Sequence, residues 1–453
     1  MKSGLRPVSA AISALVAVSV ALGGLGPSIA RADSERREPP DYAGRPDPPP
    51  TVGEVLLWVP RIILLPVYLV SEFLLRKPLG WVIAGAERAG VPAWLYDFFT
   101  FSDHQAGIVP TFLIDINFYA SVGFYGFWNN AFVKNHDLRL RGSFGGGEWL
   151  GASFSERYYF SHDRADKVAL NVRGERRPDF TYFGLGPDTR QSDLVRYGRD
   201  LREIQLELDQ RLAQAWMLHS EVALRDVDFR RGGYVDDPVL DDAIFAETLA
   251  APPGYEDGYT LLRSELGLTF DNRLPRPAPG SGVRVEAVAA HSGNFRDNAS
   301  FVYYGGGVLG SLDLDDHYRV LSLGVSARFV DPLDEGEIPF TELTTLGGNE
   351  HPMRGLYEGR LYDRSAVVAG IGYRWPIWIW LDGSLRSEVG NVFGEHLSGF
   401  ALERLRWSGS IGVESVGTPD NSFQLSFGVG SETFESGGKI DSFRLVAGTT
   451  SGF

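Results

Sequence analysis

The chain has no cysteine and only three methionines in 453 residues. Disulfides therefore contribute nothing to its stability, and an oxidising compartment leaves it chemically unchanged. Positive charge is scarce as well: 43 lysines and arginines face 58 aspartates and glutamates, a net charge of −15, and no basic cluster occurs. That balance excludes nucleic acid as a partner. The short motifs of catalysis are also missing. There is no His-Glu-x-x-His, Gly-x-Ser-x-Gly or phosphate-cradling glycine loop, and the eight histidines, among them His104, His219, His351 and His396, are scattered. No enzyme activity, cofactor or metal is expected. Acidic runs such as Asp236-Asp237 with Asp241-Asp242, and Asp313 with Asp315-Asp316, lack the ligand spacing of a calcium loop and read as hydrated external loops.

Long apolar runs are few, and a mean hydropathy of −0.11 is far too low for a helical membrane protein. Residues 1–32 carry Lys2 and Arg6, a short apolar core and a closing Ala30-Arg31-Ala32, the layout of a secretory signal peptide cleaved before Asp33. Gly23, Gly24, Gly26 and Pro27 keep that core below the ~18 to 20 residues of a spanning helix. Residues 33–50 are polar and proline-rich, and read as a spacer. Residues 51–106 hold the most apolar stretch of the exported chain, interrupted by Pro60, Arg61, Pro66 and Glu72. On a helical wheel Glu54, Arg61, Glu72 and Arg76 share one narrow sector and apolar residues cover the rest. This predicts an amphipathic periplasmic helix, lying on a membrane surface or packed as a hairpin against the main domain.

From about residue 107 to 453 the pattern changes to a period of two. Ile204, Leu206 and Leu208 alternate with Glu203, Gln205, Glu207 and Asp209, and past a short turn Leu218, Val222 and Leu224 alternate with His219, Glu221 and Arg225. Long loops such as 230–258 alternate with short polar turns such as 418–421, and aromatics gather near strand ends, as at Phe124, Tyr125, Phe127 and Trp128 or Trp375, Trp378 and Trp380. The last strand closes on Phe453, a terminal barrel signal, with Phe443, Leu445, Ala447 and Thr449 on one parity. These features predict an all-β transmembrane barrel in the bacterial outer membrane, with outer-membrane lipid around it. An open sheet edge is not tolerated in lipid, so the strands must close on themselves. At roughly 20 to 22 residues per strand and connection the domain holds about sixteen antiparallel strands. A charge turned to lipid near midplane costs ~2 to 4 kcal/mol, so the charged faces line the lumen.

Four further segments stand in order: YFGLGPDT (182–189), DNRLPRPAPGSG (271–282), GGNEHPMRGL leading to VVAGIGYRWPIW (347–378), and LDGSLRSEVGNVF (381–393). Together they resemble the barrel domain of the bacterial surface-antigen superfamily, the BamA/TamA-like outer-membrane proteins that insert or translocate other polypeptides. Asp271, Arg273, Pro279 and Gly282 look like that family's Asp-Thr-Arg…Pro-x-x-Gly turn. Met353, Arg354, Gly355 and Leu356 match its (Val/Leu)-Arg-Gly-(Phe/Tyr) signature in the sixth extracellular loop. The resemblance implies that the loop folds into the lumen and that Arg354 pairs with an acid on a following strand, by position Glu388. It further implies a role in protein insertion or translocation, or in handling lipid, with unfolded outer-membrane proteins or periplasmic chaperones as partners. A passive diffusion channel and a purely structural barrel are the alternatives. Two departures are visible. The ~75 residues between signal and barrel are too few for a periplasmic POTRA module beside a spacer, and Leu356 replaces an aromatic residue, which predicts looser loop packing.

Overall fold

A computed structural model of the chain describes residues 52–77, 97–273, 280–314, 318–378, 381–416 and 421–451, with Trp81, Gly85, Arg88 and Trp94 besides. The alternating pattern is realised as sixteen long antiparallel strands in a closed ring. They are β1 (Ala106–Asp115), β2 (Ser121–Trp128), β3 (His136–Phe144), β4 (Leu150–Tyr159), β5 (Lys167–Tyr182), β6 (Val195–Ala213), β7 (Trp216–Arg231) and β8 (Tyr259–Asp271). The ring continues with β9 (Gly282–Asn294), β10 (Ser300–Asp313), β11 (Val320–Pro332), β12 (Ser365–Trp378), β13 (Leu381–Phe393), β14 (Arg406–Ser415), β15 (Asn421–Ser431) and β16 (Ile440–Ser451). Each strand pairs with its neighbour in sequence, and β16 pairs with β1. Long connections (183–194, 232–258, 333–364, 394–405) leave one rim, whereas residues 214–215 alone turn β6 into β7 at the other. The short-turn rim is the periplasmic one.

Burial decides what surrounds the barrel. On β6, Ile204 and Leu206 are more than half exposed while Glu203, Gln205, Glu207 and Asp209 are half-buried. A water-soluble sandwich would bury the leucines, so this outward apolar belt faces lipid and the protein is an outer-membrane barrel. Inside, the carboxylates meet cations. Lys167 Nζ lies 2.8 Å from Glu207 and 3.2 Å from Asp209, Arg225 reaches Glu342 at 2.8 Å, and Arg173 and Arg199 share Glu175 at 2.8 and 3.1 Å. Such pairing makes charge tolerable in a confined lumen.

The largest buried apolar cluster sits inside the extracellular end. Phe180, Tyr197, Tyr259 and Phe301 from the wall pack with Phe340, Leu343 and Tyr362 of the 333–364 connection and with Leu240 of a short helix, α2 (Leu240–Phe245). Aromatic rings meet there edge to face, as in Tyr197 against Phe340 at 5.3 Å.

The N-terminal helix is present as α1 (Val52–Val70), continued by a π-helical turn over Ser71–Arg76. Its Leu64 and Val67 pack on Tyr373, Trp375 and Ile377 of β12 and on Leu381 of β13, and Arg61 Nε donates to the Leu314 carbonyl at 2.8 Å. The helix therefore lies against the barrel wall. The rest of the predicted 51–106 segment is described only in part, and the signal and spacer lie outside the described residues, as do Pro279 and Phe453.

Candidate functional site

The connection between β11 and β12 turns back into the barrel as a hairpin, with Thr344–Leu346 paired to Leu361–Asp363. Its tip is tightly bent. Gly347, Gly348 and Gly359 all have positive φ, and a Cβ on Gly347 would lie 2.2 Å from the Tyr357 carbonyl oxygen. Met353 also adopts a positive φ of 64°, unusual for its side chain, and is fully buried. Packing with Leu346, Leu356, Leu361, Ala366, Val368 and Val392 holds it there. Leu356 is likewise fully buried, so replacing an aromatic residue at this position has not loosened the loop. A Cβ on Gly430 would sit 2.2 Å from Leu356 Cδ2, which shows how closely the wall has been cut to fit leucine.

The Met353-Arg354-Gly355 turn is fastened to successive strands. Met353 N donates to Glu388 Oε2 on β13 at 2.7 Å, and Gly355 N donates to Ser408 Oγ on β14 at 2.9 Å. Ser442 Oγ and Arg444 Nη1 on β16 donate to the carbonyls of Gly355 at 2.7 Å and Arg354 at 3.3 Å. On β15 the contact is backbone against backbone: a Cβ on Gly355 would lie 2.1 Å from the Val429 carbonyl oxygen. Only glycine fits.

The expected Arg354–Glu388 pair is replaced by a different arrangement. Glu388 is occupied by the Met353 amide, and the Arg354 guanidinium approaches Glu414, Nη1 to Oε2 3.8 Å, a carboxylate already bonded by Arg386 at 3.0 Å. Burial, and then the like charge of Arg386, push the Arg354 pKa down to about 10, which leaves it a cation at neutral pH. Its side chain is partly exposed and lines a lumen cavity of about 1100 Å³ with Glu175, Arg177, Glu358 and Arg444.

Directly beside this turn the barrel closes. β16 and β1 share three residue pairs, Val446 with Asp115, Ala447 with Ile114 and Gly448 with Leu113, all toward the extracellular end. A side-chain bridge supplements them: Arg444 Nε lies 3.2 Å from both Asp115 oxygens, and both residues are buried. Arg444 thus holds the seam with one end of its guanidinium and the lumen loop with the other. Sequence reasoning missed it. The available signal was a charged residue at lumen parity on the last strand with an opposite charge at the end of the first.

A second cluster ties three of the motif segments together at the extracellular rim. Arg360, fully buried, donates to Thr189 Oγ1 at 2.7 Å and to the Thr189 carbonyl at 2.9 Å. Arg406 donates to the Pro187 and Thr189 carbonyls at 2.9 and 2.6 Å, and Asn391 Nδ2 donates to the Pro187 carbonyl at 3.1 Å. The GLGPDT turn, the end of the lumen loop and the GNVF strand therefore form one unit. The buried loop arginine is Arg360 rather than Arg354. At the Asp271 turn, of which residues 274–279 lie outside the described ones, Arg273 Nε and Nη2 donate to the Asp271 carboxylate at 2.9 and 2.6 Å and Gly282, at φ +142°, stands beside Arg273. Of the acidic runs read as external loops, Asp237 is engaged by Arg196 at 2.8 Å and Asp242 by Arg231 at 2.6 Å, whereas Asp313 ends β10 at the periplasmic rim and is not external, with Asp315 and Asp316 outside the described residues. Two side-chain groups with metal-like composition, Glu207-Asp209-His219 and Asp331-Glu395-His396, already hold Lys167 and Arg364 between their carboxylates.

No protein-family model matches the chain, and no curated protein matches it. Solved structures do. BamA from Haemophilus ducreyi lacking POTRA domains 1–3 superposes with a TM-score of 0.53 at 13% identity, over 76% of this chain and 70% of that one. The barrel folds like that of BamA. At this identity the likeness to BamA reaches the fold alone, and the loop and seam contacts stand on their own geometry. CdiB from Acinetobacter baumannii (TM-score 0.44, 13% identity, 76% of this chain and 60% of that one) and CdiB from Escherichia coli (0.46, 13%, 75% and 62%) also align, at scores too low to bear on the argument.

Proposed function

We propose that this outer-membrane barrel assists the insertion or translocation of polypeptides, or the handling of lipid, by parting at the β1–β16 seam. The observation that carries the reading is the three-pair closure. The β1 edge from Ile108 to Phe112, between Ala106 and Gly107, which pair with Phe101 and Thr100, and the three seam pairs, has backbone groups that a client strand could pair with by β-augmentation. Pro110 weakens continuous zipping on that edge because it has no N–H to donate. The Met353-Arg354-Gly355 turn braces the inner surface of β13 to β16, so the seam can loosen while the adjacent wall keeps its shape. Against a passive channel stands the aromatic packing of Phe180, Tyr197, Tyr259, Phe301 and Phe340 in the extracellular mouth. Unfolded outer-membrane proteins, delivered by periplasmic chaperones, are the clients this reading implies.

A covalent seam lock tests it. Ile114→Cys with Ala447→Cys joins directly opposed residues, and the absence of native cysteine makes the bond specific. The reduced protein is expected to accelerate folding of other outer-membrane barrels into liposomes, and the oxidised protein to lose that activity. A control lock between Val122→Cys and Phe144→Cys on β2 and β3 should have no effect. Undiminished activity of the seam-locked protein would remove the proposal, and solute-size-dependent conductance in planar bilayers would favour a channel.

A further inference from the structure

The position of α1 leads to a conclusion independent of the seam. Glu388 bonds the lumen loop, so its β12 partner Gly370 marks the inward parity, and Tyr373, Trp375 and Ile377 are on the opposite, bilayer-facing parity. These outward residues are the ones that α1 covers. They are buried at 2 to 5% exposure, whereas Ile371, on the same face beyond the helix contact, is 47% exposed. A helix that precedes the barrel therefore packs on its lipid side, at the periplasmic ends of β10 to β13.

The opposite face of α1 is apolar too. Trp58, Ile62, Leu65, Leu69 and Phe73 recur at intervals of three and four residues and are 43 to 61% exposed, with Val59, Ile63 and Val70 beside them. The one charge in its central turns, Arg61, is directed inward to the Leu314 carbonyl. A helix with an apolar outer face against water would present a patch far larger than isolated surface residues account for. Pro60 and Pro66 lie inside it, and among the described residues no helix is long and apolar enough to cross a membrane. On the same outward face of the wall Leu385 packs against the covered cluster and Ile371 stays exposed as part of the apolar belt.

We infer that α1 is a lipid-embedded helix whose outer face occupies the acyl-chain layer of the periplasmic leaflet beside β10 to β13. Arg76 and Lys77 at its end are exposed, and the Lys77 ammonium lies 4.1 Å from the centroid of the Phe73 ring. Glu72, hydrogen-bonded to Arg76 at 3.0 Å, is not left as a bare carboxylate near lipid. The helix replaces a sector of annular lipid on a wall distinct from the seam.

The test uses the full-length protein in vesicles of phosphatidylethanolamine and phosphatidylglycerol. An environment-sensitive dye is attached at Ile62→Cys, at Leu69→Cys, or at Val235→Cys in the external loop as a water-exposed reference, since Val235 is 77% exposed. Nitroxide-labelled lipids are expected to quench the dyes at 62 and 69 several-fold more than at 235, and aqueous iodide to quench them several-fold less. Iodide quenching at 62 and 69 equal to that at 235 would overturn the proposal, because the face would then meet water. Protection from both quenchers would also overturn it, because the face would then be covered by protein.

Discussion

The β5–β7 wall and the β16–β1 seam are built on different principles. β5 and β6 are registered from Lys167 opposite Asp209 to Tyr182 opposite Val195, and β6 and β7 from Tyr197 opposite Arg231 to Ala213 opposite Trp216. Backbone ladders hold that wall, and its side-chain pairs are added to a structure that exists without them. At the seam the ladder is reduced to Asp115–Val446, Ile114–Ala447 and Leu113–Gly448, with one further backbone bond from Ile116 N to the Leu445 carbonyl at 3.0 Å, so the Asp115–Arg444 bridge and the docked loop carry a much larger share of closure. Stability should consequently respond to single side chains at the seam and hardly at all on the wall.

The largest effect is expected from Arg444→Ala. It leaves Asp115 buried without its cation and frees the Arg354 carbonyl, and breaking a buried pair from one side costs ~3 to 5 kcal/mol. The matching wall variant, Arg202→Ala, loses an exposed partner of Asp226 and should cost less than ~1 kcal/mol. Urea titration of the folded fraction in vesicles, scored by heat-modifiable gel migration, compares the two directly. Equal midpoints would mean that the seam is held by something other than this bridge.

Gly355→Ala sharpens the contrast on the loop side. Its Cβ would meet the Val429 carbonyl at 2.1 Å, backbone against backbone, where no rotamer can give way. Overpacking of this kind costs ~1 to 3 kcal/mol, and lifting the turn should also raise protease access at Arg354. Gly174→Ala on β5 has open space around the added carbon and should change little. Glu388 comes next. Its carboxylate accepts from the Met353 amide, so Glu388→Gln keeps an acceptor and is expected to be nearly neutral, while Glu388→Ala leaves a buried N–H unpaired at ~1 to 3 kcal/mol. A Gln variant as damaging as the Ala variant would show that the charge matters more than the hydrogen bond.

How far the sequence could be read follows the range of the interactions. The period-two pattern around Ile204 and Leu206 is local, and it led correctly to strands, to the number of strands and to a charged lumen. The Asp271–Arg273 contact is local too, between residues two apart in the chain. Arg354 and Glu388 were placed in the right neighbourhood because they flank a single strand, but the choice between a guanidinium and a backbone amide as Glu388's partner is a matter of ångströms. Arg444 with Asp115 and Arg360 with Thr189 join positions 329 and 171 residues apart. Nothing local marks such partners. They become visible only when the ring closes and the loop is seated.

The smallest effect should come from the residue that drew most attention in the sequence. Arg354 is partly exposed, shares Glu414 with Arg386 and stands 3.8 Å from it, beyond hydrogen-bond distance. A pair of that kind contributes ~0 to 1 kcal/mol, so Arg354→Ala should leave the urea midpoint close to that of the unaltered protein. The exchange Arg354→Glu with Glu388→Arg should fail to restore stability, because it removes the acceptor of the Met353 amide. If Arg354→Ala nevertheless slows folding of client barrels in liposomes while stability is unchanged, the cation acts on the lumen contents rather than on the fold. If it lowers stability as much as Arg444→Ala, the loop is held by its arginine side chain, and the distinction between a backbone-stapled loop and a side-chain-stapled seam no longer stands.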